Sequence, residues 1–137
     1  MENFFEPQFT IAQVNAMSSL ALAHVGDGAY ELLCRVYLCA QGTKTVLNLH
    51  KSTVELVKAP AQAKLAQAML PHLTEEETAY FRRGKNAHTH AAPKAASRRE
   101  YALATGLEAL FGALYLLGRK QRLNDLLMQA MEEVYGI

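Results

Sequence analysis

The chain has 137 residues, half of them hydrophobic, and a formal net charge of +1. This length suits a single domain with a real hydrophobic core. The near-zero charge excludes a polycation that binds nucleic acid by bulk attraction, so any such binding requires a local basic patch.

The first half of the chain predicts an irregular segment over residues 1–9, which docks aromatic side chains, followed by helices. Thr10 is predicted to cap the first helix, and Ser18 and Ser19 open the second. A break is expected near Ala59-Pro60, because proline disfavours helix in the residue before it. The predicted helices span residues 11–17, 19–41, 43–58 and 61–70.

The second half predicts three further helices. Thr74 and the three glutamates after it form a capping box, so a helix should run from there to about Asn86. Residues 87–97 are predicted to be a loop, Ser97 or a neighbour starts the next helix, and Gly118 ends it. A last amphipathic helix is expected over 119–135. Because no alternating strand pattern occurs, we predict one all-α domain over residues 1–137.

Cysteine usage predicts the compartment. Cys34 and Cys39 are five positions apart on one predicted helix and should point away from each other, so no disulfide is expected. Unpaired cysteines, no signal peptide and no long apolar segment predict a cytoplasmic protein without a membrane partner.

Asp27 is the first candidate for chemistry, because it lies between Gly26 and Gly28 in an apolar helical run. Each glycine costs a helix about 1 kcal/mol relative to alanine, which suggests that something large or charged approaches the backbone here. A close helix–helix crossing, with Asp27 as a cap or ion-pair partner, is an equally good interpretation. One side of this helix should face the core, namely Leu20, Leu22, Val25, Ala29, Leu32, Leu33 and Val36.

Glu108 is the second candidate, because it also lies in an apolar helix and has no Lys or Arg one turn away. Gly106, Ala109 and Ala113 form a smooth ridge on this helix, against which another helix can pack. A lone buried carboxylate is costly unless it is paired or holds a cation. Two such carboxylates would satisfy each other by sharing a divalent metal, and hard oxygen ligands favour magnesium or manganese.

Residues 82–99 contain six of the fourteen lysines and arginines. Such a basic segment can bind phosphates and reach a groove of duplex RNA, which is recognised mainly by shape and backbone. A solvated loop is the alternative, but beside two carboxylate helices we favour RNA. His88 and His90 could form a metal pair, although no third ligand lies nearby.

Together these motifs resemble the ribonuclease III catalytic domain, and most closely the mini-ribonuclease III branch, which lacks a double-stranded-RNA-binding domain. The resemblance lies in the Leu-Ala-x-x-Gly-Asp stretch at 22–27, in the Glu-Ala-Leu-x-Gly-x-Leu-Tyr-Leu stretch at 108–116, and in the Arg-Arg-Gly-Lys-Asn element at 82–86. Shorter matches occur at 49–52, 61–63, 74–77 and 93–94.

The resemblance implies a homodimer that cleaves double-stranded RNA and a metal, Mg²⁺ with Mn²⁺ as a substitute, held by Asp27 and Glu108. By analogy its substrate is the precursor of large-subunit (23S) ribosomal RNA, and a ribosomal protein that presents this RNA is a candidate further partner. The residues expected to bind RNA are Arg82, Arg83, Lys85, Asn86, Lys94, His50 and Lys51.

Three residues are candidates for a supporting position beside the carboxylates: Glu31, His24 and Thr105. A surface salt bridge is an equally good interpretation of Glu31, and a core position is an alternative for His24. Full-length ribonuclease III has acidic residues where this chain has Ala23 and Thr105. We therefore expect weaker metal binding and slower or more selective cleavage.

Two other functions remain open on these motifs. A catalytically silent dimer that binds double-stranded RNA is favoured if the reduced acidic set cannot hold metal. A helical interaction module without nucleic acid would show no loss of RNA affinity when Arg82, Arg83 and Lys85 are neutralised.

Overall fold

A computed structural model describes residues 2–42, 45–87 and 97–136 of the chain. In these ranges it contains seven α-helices, a 3₁₀ turn at Leu70–His72 and no strand, which confirms the predicted all-α class. The helices are α1 (Ile11–Ala16), α2 (Ser19–Ala40), α3 (Val46–Val57), α4 (Ala59–Met69), α5 (Glu75–Lys85), α6 (Arg98–Leu116) and α7 (Lys120–Tyr135).

Four predicted helix starts are confirmed by their capping contacts, whereas α3 begins at Val46 after its cap Thr45, later than the predicted position 43. The side-chain oxygens of Thr10, Ser18, Thr74 and Ser97 each accept a hydrogen bond from a backbone N–H three residues later. The break between α3 and α4 falls at Lys58, so α4 begins two residues before the predicted position. Pro60 lies in its first turn, where the N–H that proline lacks has no helical partner.

Helix α6 lies at the centre of the domain and contacts α2, α4, α5 and α7. Its middle is buried on nearly all sides, and the buried residues include Leu107, Leu110, Phe111 and Leu114. A helix that is apolar all round is expected in such a central position. Glu108 is a charged residue on this central helix, and its surroundings therefore decide what it can do.

The backbones of α2 and α6 touch where they cross. A Cβ atom added to Gly26 would lie 1.6 Å from the backbone oxygen of Glu108, and one added to Gly112 would lie 1.9 Å from that of Leu22. Only glycine allows this approach. The close-crossing interpretation of Gly26 is therefore correct, whereas Gly28 has no atom within 4 Å of an added Cβ and faces open space.

The outward side of α2 departs from the prediction that its apolar residues face the core. Leu20, Leu32 and Val36 are 47%, 57% and 58% exposed, so the prediction was wrong for these three. The side of α2 that packs on the core carries instead Leu22, Ala23, Gly26, Tyr30, Cys34 and Leu38. Helix α2 thus has apolar residues on two sides, and the described part of the chain leaves one of these sides uncovered.

Residues 2–10 are held to the domain mainly through backbone and polar contacts. The N–H of Phe9 donates to the carbonyl of Leu116 (2.9 Å), and the Tyr115 hydroxyl lies 3.3 Å from the carbonyl oxygens of Phe4 and Phe5. Of the three phenylalanines in this segment, Phe9 packs against the core, while Phe4 and Phe5 are 78% and 81% exposed. The prediction that this segment docks its aromatic side chains was therefore wrong for Phe4 and Phe5.

The described residues contain two free cysteines and no helix that could span a membrane. Cys34 is buried, Cys39 is exposed, and both are free thiols, as predicted. In the part of the chain that the structure describes, no helix has the length and apolar character needed to cross a bilayer.

A buried ion pair joins α5 to α7. The guanidinium of Arg122 donates to both carboxylate oxygens of Glu77, at 2.8 Å each, and to the carbonyl of His72, also at 2.8 Å. The Glu77 side chain is only 4% exposed. The hydrogen bonds from Arg122, followed by those from Thr74, lower the pKa of Glu77 against the opposing effect of burial.

We expect Arg122→Met to lower the free energy of unfolding by about 1–3 kcal/mol at pH 7, because it leaves the Glu77 carboxylate buried without its partner. Since the folded-state pKa of Glu77 is lowered, the pair stabilises the fold above the ordinary value of 4.5 and stops doing so as the pH falls below it. Urea unfolding at pH 7 and pH 3 should therefore show a difference from the parent that shrinks in acid. Arg35→Met, which removes an exposed pair with Glu31, is the control and should cost less than about 0.5 kcal/mol. Equal losses in the two variants would contradict the assignment.

Candidate active site

The α2–α6 crossing brings the two candidate carboxylates together. Gly26 rests on the backbone oxygen of Glu108, so Asp27, the next residue of α2, has its side chain close to that of Glu108. Asp27 is exposed, whereas Glu108 is partly buried. Residues 81 positions apart in the chain thus form a pair because one glycine permits backbone contact.

The environment of Glu108 opposes its ionisation. Burial first, and then the neighbouring Asp27 carboxylate, raise the pKa of Glu108 to about 8 from its ordinary value of 4.5, while the Gln62 amide acts in the opposite direction. Two carboxylates in such a position cannot both be charged without cost unless a cation lies between them. The pair therefore favours cation binding.

The donor set of this site fits a magnesium or manganese ion. Among the described residues there is no group of three or more His, Cys, Asp or Glu side chains that could hold a metal. Two carboxylates nevertheless suffice for Mg²⁺, which usually keeps several of its waters and binds through one or two protein carboxylates. In addition, the buried amide oxygen of Gln62, next to Glu108, has no hydrogen-bond partner in the described structure. A buried acceptor without a partner, on a residue that lines the same cleft as Glu108, fits a hydrated cation at this site.

A cleft of about 740 Å³ opens beside Glu108. Its walls are formed by the end of α3, the first turns of α4, one side of α6 and Tyr135. Four polar residues that line the cleft were not predicted as functional candidates from the sequence: Lys58, Gln62, Lys64 and Tyr101. The short family match at residues 61–63 was the only sequence signal that included one of them.

The three supporting candidates have different surroundings. Thr105 is buried, lines the cleft, and donates its hydroxyl proton to the carbonyl of Tyr101 (3.0 Å). Glu31 forms a surface ion pair with Arg35 (2.9 Å), as the salt-bridge interpretation had it. His24 is exposed, so the alternative of a core histidine was wrong.

Of the predicted RNA-binding residues that the structure describes, all are exposed except Arg83. Arg82, Lys85 and Asn86 lie exposed at the end of α5, and His50 and Lys51 are exposed on α3. Arg83 is half-buried and donates to the carbonyl of Met17, at the end of α1, so its guanidinium has a structural partner. Lys94, His88 and His90 lie outside the described residues.

Comparison with known proteins identifies the family. The model of the ribonuclease III domain matches residues 20–119, a range that contains both carboxylates, the basic end of α5 and the α2–α6 crossing. The chain belongs to the ribonuclease III family. Within it, the mini-ribonuclease III branch provides relatives over most of the chain, as the resemblance had implied.

Mini-ribonuclease 3 of Symbiobacterium thermophilum is 42% identical over 89% of this chain and 94% of its own. That of Enterococcus faecalis is 42% identical over 86% and 91%, and that of Clostridium tetani is 38% identical over 90% and 83%. The X-ray crystal structure of a protein from Fusobacterium nucleatum is similar with a TM-score of 0.78, at 30% identity over 88% of this chain and 96% of that one. The family to which this chain belongs is thus that of the ribonuclease III-type endoribonucleases.

Proposed function

We propose that the chain is a Mg²⁺-dependent endoribonuclease that hydrolyses phosphodiester bonds in double-stranded RNA, with Mn²⁺ as a substitute ion. The observation that carries this proposal is the pairing of Asp27 with the partly buried Glu108 at a helix crossing inside a ribonuclease III domain. Family analogy extends the proposal to the ends of precursor 23S ribosomal RNA as substrate, in the cytoplasm, with a ribosomal protein as a candidate presenter of that RNA.

In this proposal Asp27 and Glu108 hold the metal and neither acts as a nucleophile. Glu108 has to lose its proton to do so, and Asp27 contributes its charge from the exposed side. A bound divalent ion supplies Lewis acidity toward a phosphoryl oxygen and lowers the pKa of a water molecule. Cleavage leaves a 5′-phosphate and a 3′-hydroxyl.

The direct test is incubation of the purified protein with a long RNA duplex and Mg²⁺, with products resolved on a gel. We expect discrete cutting that EDTA prevents. Intact RNA that is nevertheless bound would favour the silent RNA-binding dimer instead.

Exposed basic and polar residues are proposed to bind the RNA backbone. Arg82, Lys85 and Asn86 at the end of α5, and His50 and Lys51 on α3, are accessible to a phosphate in the described structure. Lys94 is proposed on the resemblance alone. Arg83 is the weakest member of this set, because its guanidinium donates to the Met17 carbonyl.

We expect the variant with both Arg82→Gln and Lys85→Gln to bind duplex RNA more weakly and with a flatter salt dependence. Each lost phosphate contact should reduce the slope of log K against log salt concentration by about one, hence by about two here. Fluorescence anisotropy with a duplex in Ca²⁺ or EDTA measures this without cleavage. A variant with Arg35→Gln and Arg119→Gln, whose cations already pair with Glu31 and Glu76, is the charge-matched control. An unchanged slope in the first variant would show that Arg82 and Lys85 do not contact phosphates, and a parent protein that does not bind the duplex would favour a helical interaction module without nucleic acid.

A homodimer is proposed to form through the outward side of α2. Leu32 and Val36 are more than half exposed there, and Gly28, one turn before Leu32, leaves room for another backbone. These residues adjoin a small apolar groove of about 190 Å³ between α2, the end of α6 and α7. A second copy on this side would bring two carboxylate pairs into one particle, as cutting both strands of a duplex requires.

We expect Leu32→Glu to convert the dimer to a monomer, because a carboxylate buried without a partner in an apolar interface costs several kcal/mol. Size-exclusion chromatography with light scattering measures the mass. Val54→Glu, which changes an exposed apolar residue on α3, is the matched control and should leave the mass unchanged. A parent protein that is monomeric at micromolar concentration would contradict the proposed dimer.

A further inference from the structure

Gln62 is a buried polar residue in the second turn of α4 whose hydrogen bonding is incomplete. Its side chain is 3% exposed, and its amide N–H donates to the carbonyl of Val57 at 2.8 Å. Its amide oxygen is buried and has no partner in the described structure. Since buried polar atoms are almost always hydrogen-bonded, this oxygen requires a donor that the described residues do not supply.

The contact with Val57 leaves part of the Gln62 amide free to act on Glu108. An amide nitrogen has two protons, and the Val57 carbonyl accepts only one of them. The amide group is also within reach of the Glu108 side chain. Gln62 and Glu108 line the same cleft. The amide nitrogen therefore donates one proton to the Val57 carbonyl and has its second proton available for the Glu108 carboxylate.

We propose that Gln62 is a positioning residue of this site, which holds the Glu108 carboxylate beside Asp27 and offers its unpaired oxygen to a hydrated cation. The inference rests on the proposed function. Metal-binding carboxylates commonly accept hydrogen bonds from such outer partners, which fix their orientation.

A neutral amide suits this site better than another acid. Asp27 already opposes the ionisation of Glu108, and a third carboxylate would add to that cost. Ala23, one turn before Asp27, offers no polar side chain, and Thr105, three residues before Glu108, has already donated its hydroxyl proton to the Tyr101 carbonyl. Gln62 reaches the site from a third helix and contributes hydrogen bonds without adding charge.

Mn²⁺ binding in the absence of RNA tests the proposal without relying on catalysis. We expect Gln62→Met, which keeps the length of the side chain but removes its polar atoms, to weaken Mn²⁺ binding by at least about tenfold. Electron paramagnetic resonance of free Mn²⁺ gives the affinity, and thermal unfolding in EDTA shows whether the variant is folded. Gln129→Met on the exposed side of α7 is the matched control. Asp27→Asn gives the Mn²⁺ affinity that remains when one metal-binding carboxylate is removed.

The outcomes separate this inference from the proposed function. Parental Mn²⁺ affinity in a folded Gln62→Met would overturn the positioning role and show that Gln62 only connects α4 to the end of α3. If Asp27→Asn still lost Mn²⁺ binding in that case, the assignment of the metal site to Asp27 and Glu108 would remain supported. A parent protein that binds no Mn²⁺ would overturn both. If Gln62→Met does not fold, Gln62→Leu, with the same loss of polar atoms in a different shape, decides by the same measurement.

Discussion

Asp27→Asn and Glu108→Gln should each reduce cleavage of duplex RNA in Mg²⁺ by about a thousandfold or more. Each substitution keeps the shape of the side chain and removes the charge that a divalent ion requires. Lewis-acid stabilisation of the transition state is worth several kcal/mol, and each 1.36 kcal/mol changes the rate tenfold. Single-turnover cleavage on a denaturing gel, with enzyme in excess, measures the effect. If either variant cuts at the parental rate, the assignment of the metal site to this pair is wrong.

The stability of Glu108→Gln without metal is the control for that experiment. Because the pKa of Glu108 is raised to about 8, the folded protein keeps this proton where the unfolded chain has lost it. The stability of the metal-free parent should therefore fall as the pH rises from about 4.5 to about 8. Glutamine cannot ionise, so Glu108→Gln should lack this loss and melt above the parent in EDTA at pH 8. A variant that melts well below the parent would mean that its loss of cleavage reflects unfolding.

Gly26→Ala should have the largest effect on stability among single-atom changes at the crossing. The added Cβ would lie 1.6 Å from the backbone oxygen of Glu108 and 2.7 Å from the backbone nitrogen of Gly112. No side-chain rotation can relieve contacts with backbone atoms, so α2 has to move away from α6. We expect a loss of about 3 kcal/mol or more in the free energy of unfolding, measured by urea denaturation.

Gly28→Ala, two residues further along the same helix, is the matched control. An added Cβ there has no atom within 4 Å in the described structure, and alanine is a better helix former than glycine. We therefore expect Gly28→Ala to stabilise the metal-free monomer fold by up to about 1 kcal/mol. If Gly26→Ala and Gly28→Ala lowered the free energy of unfolding by similar amounts, the close approach of α2 and α6 at Gly26 would not explain the effect.

Local signals in the sequence were sufficient to predict the helices. Thr10, Ser18, Thr74 and Ser97 cap helices through contacts with backbone groups three residues later, so the relevant atoms are adjacent in the chain. The absence of alternating apolar residues likewise predicted an all-α domain, and the structure confirms it over the described residues. Family resemblance, and not periodicity, identified the family, whereas the pairing of Asp27 with Glu108 followed from the cost of burying an isolated carboxylate.

The candidate site depended on contacts that periodicity does not contain. Helix α2 has apolar residues on both its inward and outward sides, and a count of helical spacing could not tell which side faces the core. In the sequence, Gln62 is only a polar residue of an alanine-rich helix. The packing of α4 against α6 is what places it in the same cleft as Glu108. Arg83 reads as a free cation of a basic segment, yet it donates to a carbonyl 66 positions away.

The sequence by itself therefore determined where the capped helices α1, α2, α5 and α6 begin, that the domain is all-α, and which two carboxylates are isolated in apolar surroundings. Tertiary structure alone decided that Gly26 rests on the Glu108 backbone while Gly28 stays open, and that the amide of Gln62 adjoins the same carboxylate. The physical reason is the distance along the chain over which each kind of interaction acts. Capping and helix propensity act over three or four residues, whereas desolvation, ion pairing and backbone contact depend on groups that only folding brings together.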